Sequence, residues 1–249
     1  MERRPDRALS AISAHRGGGE DARAGTYEAY RAALEAGAEY VEFDIRRARD
    51  GELVVFHDAV TGAGQPLASL SYAQLCAAAG YEVPRVPGLM RMIAGRAAGH
   101  LDLKERECAD RAVELALDLL GPDAFVATTL DDACAAAVHA RFPAVPVALS
   151  LGRDLGGLSW RDGLRIRSAE LYPMSRIRAC GASWCAMHHR LARAGVLRQC
   201  HRRGIKTMVW TVNPGQSIVR LLADPRVDVL VTDRPRRARE LRDQLAAAR

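Results

Sequence analysis

A chain of 249 residues has the length of one α/β barrel, typically about 250, and its 49% hydrophobic content is enough for one large core. A charged fraction of 27% fits an ordinary globular surface, and no apolar run approaches the ~20 residues of a membrane span. The net charge of +6 favours anionic partners such as phosphate esters, yet no arginine stripe interleaved with aromatics points to nucleic acid.

Along the chain, short apolar runs alternate with amphipathic ones, the pattern of repeated βα units around a parallel sheet. Strands are predicted over 9–15, 40–46, 100–104, 125–129, 145–151, 183–188, 207–212 and 227–232. Helices are predicted over 26–36, 108–120, 130–141, 191–203 and 216–223, while 152–180 shows no clean helix. Eight strands with helices between them argue for a closed (β/α)8 TIM barrel. Asp50-Gly51 lies between two strand-like runs, a hairpin signal. The second strand is therefore expected to turn back as a short β-hairpin extension and carry His57-Asp58 toward the barrel mouth. The chain reads as a single domain over 1–249, its core spanning about 9–241, with a polar helical tail at 236–249.

Six cysteines without C-x-x-C or zinc spacing read as reduced thiols. With no evident signal peptide, the expectation is a cytoplasmic protein without stable membrane insertion. The terminal arginines, in the basic run at 2–7 and in the tail, read as solvated charge.

Chemistry in such a barrel sits at the C-terminal ends of the strands. There the first strand offers His15-Arg16 followed by three glycines. The second carries Glu42 and Asp44, whose spacing by two puts both on one face. The hairpin return ends in His57-Asp58, and the third strand reads His100-Leu-Asp102-Leu-Lys104. The seventh ends in Trp210-Thr-Val-Asn213 and the eighth in Thr232-Asp233. Converging buried carboxylates need a compensating charge, which a hard divalent cation supplies. An internal ion-pair cluster is the plainer alternative for Glu42 and Asp44 alone. Only two of the 36 basic residues are lysines, so Lys104 stands out.

AHRGG, VEFDI, a DG hairpin into VVFHD, LDLK, VWTVN and VDVLVTDRP occur in this order, with spacing that resembles the glycerophosphodiester phosphodiesterase family from residue 11 to about 241. The resemblance implies that Glu42, Asp44 and Asp102 hold one divalent metal ion, Mg2+ or Ca2+. It implies His15 and His57 as general base and general acid on either side of phosphorus. Arg16 and Lys104 would neutralise the phosphate oxygens, and Trp210 would wall the substrate pocket. In the family a neighbouring hydroxyl of the substrate attacks first, giving a cyclic phosphate that water then opens. The products would be an alcohol and sn-glycerol 3-phosphate.

Three departures from the family's pattern bear on substrate. Pro-Glu-Asn-Thr at the first helix is replaced by Arg23-Ala24-Gly25-Thr26, with Glu20 or Asp21 as conceivable substitutes. Asp102 stands where Glu is commoner, shortening that ligand by about 1.5 Å. The segment 59–99, which commonly forms a lid, is short. These features keep two alternatives open: a lysophospholipase D-type activity in the same superfamily, or a weakened barrel that binds phosphorylated ligands. Elsewhere, His139 and His201 are expected on exposed helix faces, and His100 at the strand's start in a structural role. His188-His189 ends a strand and reads first as a hydrogen-bonded structural pair, with a pocket role as the minority reading; Asn213 and Asp233 are as readily structural as functional. The expected partner is a small-molecule phosphodiester; oligomeric state is not legible.

Overall fold

The structure, a computed structural model, describes residues 9–248, so the basic run at 2–7 lies outside the described residues. Eight parallel strands close into a barrel: β1 (Ala11–Ala14), β2 (Tyr40–Arg47), β4 (Ala98–Leu103), β5 (Phe125–Thr129), β6 (Val147–Leu151), β7 (Trp184–His188), β8 (Lys206–Trp210) and β9 (Val229–Thr232). Closure comes from β1, which pairs with β9 through Ala11↔Val229 and with β2 through Ser13↔Tyr40. A ninth strand, β3 (Leu53–Val55), pairs antiparallel with β2 from outside the barrel, through Ile45↔Val55 and Arg47↔Leu53. This is the hairpin that Asp50-Gly51 foretold, and Gly51 takes φ +89° at its turn.

Between the strands lie α1 (Tyr27–Glu35), α2 (Tyr72–Ala79), α3 (Val86–Ile93), α4 (Ala109–Leu119), α5 (Asp132–Arg141), α6 (Trp160–Leu171), α7 (Met174–Ala179), α8 (His189–Arg193), α9 (Val196–His201), α10 (Gly215–Leu222) and α11 (Pro235–Ala247). Most bury an apolar stripe on the barrel wall, as Ile218, Leu221 and Leu222 of α10 do. The helix expected over 191–203 is two helices instead, because Gly195 adopts φ +103° and breaks the hydrogen-bonded run. The segment 152–180 does contain helices, α6 and α7. The only fully buried residue of α6 is Glu170, so its apolar residues carry no inward periodicity to read.

The main core fills the space between barrel wall and helices, with Phe43, Ile45, Leu101 and Leu149 among its fully buried members. A second, smaller cluster lies inside the barrel: Val126, Ala148, Trp184, Ala186, Met208, Val229 and Val231. A third, including Val54, Leu67, Leu70, Leu75 and Val83, packs the 59–85 segment against the hairpin. The six cysteines are free and five are buried. No helix among the described residues is long and apolar enough to cross a membrane.

Candidate active site

Strand register builds the site. On β2 and β4, Glu42 lies opposite His100 and Asp44 opposite Asp102, and Asp102 in turn faces Thr128 on β5. Period-two alternation then turns all of these side chains toward the barrel interior. Glu42, Asp44 and Asp102 bring carboxylate oxygens within 4.8 Å of one another. Glu42 and Asp44 are buried, and Asp102 is half-buried.

Two cations answer these three carboxylates. Lys104 Nζ sits 2.9 Å from Asp44 Oδ1 and also pairs with Asp102. Arg16 Nε approaches Asp44 Oδ2 at 3.2 Å, an ion pair not aligned as a hydrogen bond. Among the described residues Glu42 receives only the backbone N–H of Arg16, at 2.7 Å. Burial, reinforced by the Asp44 charge, pushes the Glu42 carboxyl up to about 8. Burial acts the same way on Asp44, but Lys104, Arg16 and His57 outweigh it and hold that carboxyl below the usual range. Burial opposes the charge on Lys104, yet Asp102 and Asp44 raise its pKa above the ordinary value. One carboxylate without a cation of its own, within a set of three converging oxygens, is the donor chemistry of a hard divalent ion.

Arg16 owes its position to backbone geometry. It is the one non-glycine residue with positive φ among the described residues, at φ +51°. Such a conformation costs on the order of 1–3 kcal/mol and persists where surrounding contacts over-determine it. Here its N–H is held by Glu42 and its carbonyl accepts from Gly25 N at 2.8 Å. Gly17, at φ +78°, passes so close to α1 that a Cβ would meet Tyr30 N at 2.9 Å. That approach is why His-Arg must be followed by glycine. The replaced Ala24-Gly25 pair supplies no side chain to the pocket, and Glu20 and Asp21 do not substitute for it. Both turn away toward α11, where Asp21 pairs with Arg236 and Glu20 accepts from the Arg237 backbone.

His15 and His57 are held alike. His15 Nδ1 lies 2.6 Å from Asp233 Oδ1, and His57 Nδ1 lies 2.7 Å from Asp58 Oδ1. An ionised carboxylate can only accept, so each Nδ1 carries a proton and each Nε2 is left for other partners. Burial disfavours the charged form of His15, but Asp233 and Glu42 outweigh it and raise its pKa above 6.5. Asp233 is itself steadied by Asn213, whose Nδ2 donates to Oδ2 at 2.6 Å. The His57 carbonyl accepts from Arg46 Nε at 2.9 Å, and Arg46 pairs with Glu105 at 3.0 Å.

All eight residues singled out in the sequence, His15, Arg16, Glu42, Asp44, His57, Asp102, Lys104 and Trp210, line one cavity of about 470 Å³. No residue of 59–99 lines it. The sequence reading missed Thr128, whose hydroxyl donates to Asp102 Oδ1 at 3.2 Å, and the wall residues Arg153 and Asp154. Thr128 and Thr129 at the C-terminal end of β5, where barrel chemistry sits, were a usable signal for the first; Arg153 lay in the segment without readable periodicity. Asp233 and Asn213, evenly weighed from sequence, join the His15 network. His100 is corrected: β4 begins at Ala98, so His100 sits inside the strand, buried beneath the site, with Nδ1 3.1 Å from Ser13 Oγ. His139 is half-buried rather than exposed. His188 stacks on His189 and meets the Trp210 ring edge-on at 5.4 Å, outside the cavity lining. Gly152 makes room for both; a Cβ there would lie 2.5 Å from His188 Cβ.

The model of the glycerophosphoryl diester phosphodiesterase family matches residues 15–139. No curated protein matches the chain in sequence. Among solved structures, a glycerophosphodiester phosphodiesterase from Parabacteroides distasonis is 20% identical with a TM-score of 0.78, covering 97% of this chain and 100% of its own. One from Thermotoga maritima is 19% identical with a TM-score of 0.74, covering 98% and 100%. A phosphodiesterase from Oleispira antarctica, in complex with the product sn-glycerol-3-phosphate, is 18% identical with a TM-score of 0.76, covering 94% and 97%. At these identities the structural likeness establishes the barrel fold.

Proposed function

Because the chain belongs to the glycerophosphoryl diester phosphodiesterase family, we propose that it hydrolyses glycerophosphodiesters to an alcohol and sn-glycerol 3-phosphate with a divalent metal, Mg2+ or Ca2+. The observation that carries this reading is the matched pair of histidines. Two imidazoles on one cavity, each with Nδ1 tied to a carboxylate, are poised to take one proton and return another.

Phosphodiesters resist attack because their anionic oxygens repel a nucleophile. Arg16 and Lys104 offset that charge from two sides of the cavity. Glu42, Asp44 and Asp102 would hold the ion, which when bound draws further charge from the phosphoryl oxygens. One histidine takes the proton of the attacking hydroxyl, the substrate's own neighbouring group in the first step. The other gives a proton to the departing alkoxide. Asp233 and Asp58 fix ring orientation and tautomer throughout. Trp210 walls the side of the cavity where the β6–α6 loop turns at Gly152. Free, buried thiols suit action in the cytoplasm.

The test is product identity. Glycerophosphocholine should yield choline and sn-glycerol 3-phosphate, and His15→Ala should slow the reaction about 10²–10⁴-fold. Phosphocholine and glycerol as products would refute the assignment. A second reading, a lysophospholipase D-type activity, is favoured by the absence of 59–99 from the cavity wall, which leaves that rim open to a larger substrate. Parallel turnover of lysophosphatidylcholine distinguishes it.

A further inference from the structure

Barrel helices normally hide their apolar residues against the strands, and α6 does the reverse. Of five large hydrophobic side chains exposed among the described residues, four fall at 158–172: Leu158 (45%), Trp160 (74%), Leu164 (65%) and Tyr172 (72%). Trp160, Leu164, Ser168 and Tyr172 recur every four residues, so they form one stripe along the outer face, bordered by Arg161 and Arg165. Arg161 and Arg165 make no ion pair among the described residues, whereas Arg167 and Arg176 are neutralised by Glu170 and Asp132. An exposed apolar stripe flanked by unpaired arginines is the composition of a helix that lies in a lipid interface.

We infer that α6 docks the enzyme on an anionic phospholipid surface. Charge selects this occupant. A second copy packed through the same stripe would bring the unpaired arginines of the two chains together, while anionic headgroups neutralise them. Continuity with the cavity supports it. The loop that leads into α6 supplies Gly152, Arg153 and Asp154 to the cavity wall, and buried Glu170 of α6 accepts from the N–H groups of Gly152 and Arg153 at 2.7 and 2.8 Å. The docking helix and that wall are therefore one connected piece, and docking brings the wall to headgroup level. Within the proposed phosphodiesterase reading, on which this role rests, the substrates met there are diesters at or leaving a membrane. The docking itself is measured without turnover.

The experiment floats the full chain with vesicles of phosphatidylcholine alone or mixed with phosphatidylglycerol, and records tryptophan emission. Binding to the mixed vesicles alone is expected, with a blue shift that Trp160→Phe removes. Trp160→Ala/Leu164→Ala/Tyr172→Ala should weaken binding at least about tenfold, and Arg161→Gln/Arg165→Gln by on the order of 25-fold, given about fivefold per basic residue near an anionic surface. Hydrolysis of water-soluble glycerophosphocholine should be unchanged in both variants. Wild-type protein that stays with the buffer, or variants that float as well as it does, overturn the inference. Self-association by sedimentation that the triple substitution abolishes, without vesicle binding, would make the stripe a dimer interface instead. Vesicle binding without turnover of any diester would leave docking standing and sink the phosphodiesterase reading.

Discussion

The barrel interior has two unlike sides. From β5 round to β9, Val126, Ala148, Trp184, Ala186, Met208, Val229 and Val231 fill it with close-packed apolar groups. On β1, β2 and β4 the inward positions include Ser13, Glu42, Asp44, His100 and Asp102, four of them buried. The first side lowers the free energy of the folded chain; the second raises it, since buried carboxylates and a buried imidazole are costly without full compensation. One side thus holds the cylinder rigid so that the other can keep charges in place that a packed core would reject.

Substitutions should separate the two sides cleanly. The largest effect belongs to the polar side: His15→Ala should lower turnover by about 10²–10⁴-fold, the usual share of one proton-transfer group, while the thermal midpoint moves little. Loss of folding in that variant would mean His15 is structural. On the apolar side, Met208→Ala should cost roughly 2–5 kcal/mol of stability in denaturant titration and leave kcat near wild type at temperatures where it stays folded. A large kcat loss with unchanged stability would contradict the division. Lys104→Arg exchanges a compact ammonium for a planar fork at a point bridging Asp44 and Asp102. It should reduce turnover about tenfold, roughly 1.4 kcal/mol; near-normal rates would show that any cation serves.

The last effect is one of pH. Burial, with the charge of His15, lowers the His100 pKa from 6.5 to about 3. Between those values the unfolded chain binds a proton at this site that the folded chain does not. Stability therefore falls as pH drops from 6.5 toward 3, by up to about 1.4 kcal/mol per pH unit. His100→Asn removes that component, so the stability gap between wild type and variant should narrow as the pH drops. A gap that stays constant with pH would mean His100 is not buried neutral.

Much of the polar side was legible in sequence because its physics is local. Polar residues at every second position of a strand, as in Glu42-Phe-Asp44 and His100-Leu-Asp102, report an inward face directly. The hairpin was legible through Asp50-Gly51. What stayed hidden depends on distant partners. Asp233 becomes a companion of His15 only when β9 closes on β1, 218 residues away in sequence. His100 looked like the first residue of its strand because Ala98 and Gly99 carry no apolar signal; Gly99 is small because a Cβ would strike Leu101 Cδ1 at 2.8 Å. In α6 the signal was present but inverted: its apolar stripe faces out, so the helix showed no core-facing pattern.

The most direct test of the account is to strip the protein with chelator and follow glycerophosphocholine hydrolysis as Mg2+ or Ca2+ is titrated back. The three-carboxylate site of Glu42, Asp44 and Asp102 predicts negligible turnover in the stripped protein and saturable recovery with one of these ions. Full turnover in the stripped protein, or none with any divalent ion, would contradict it.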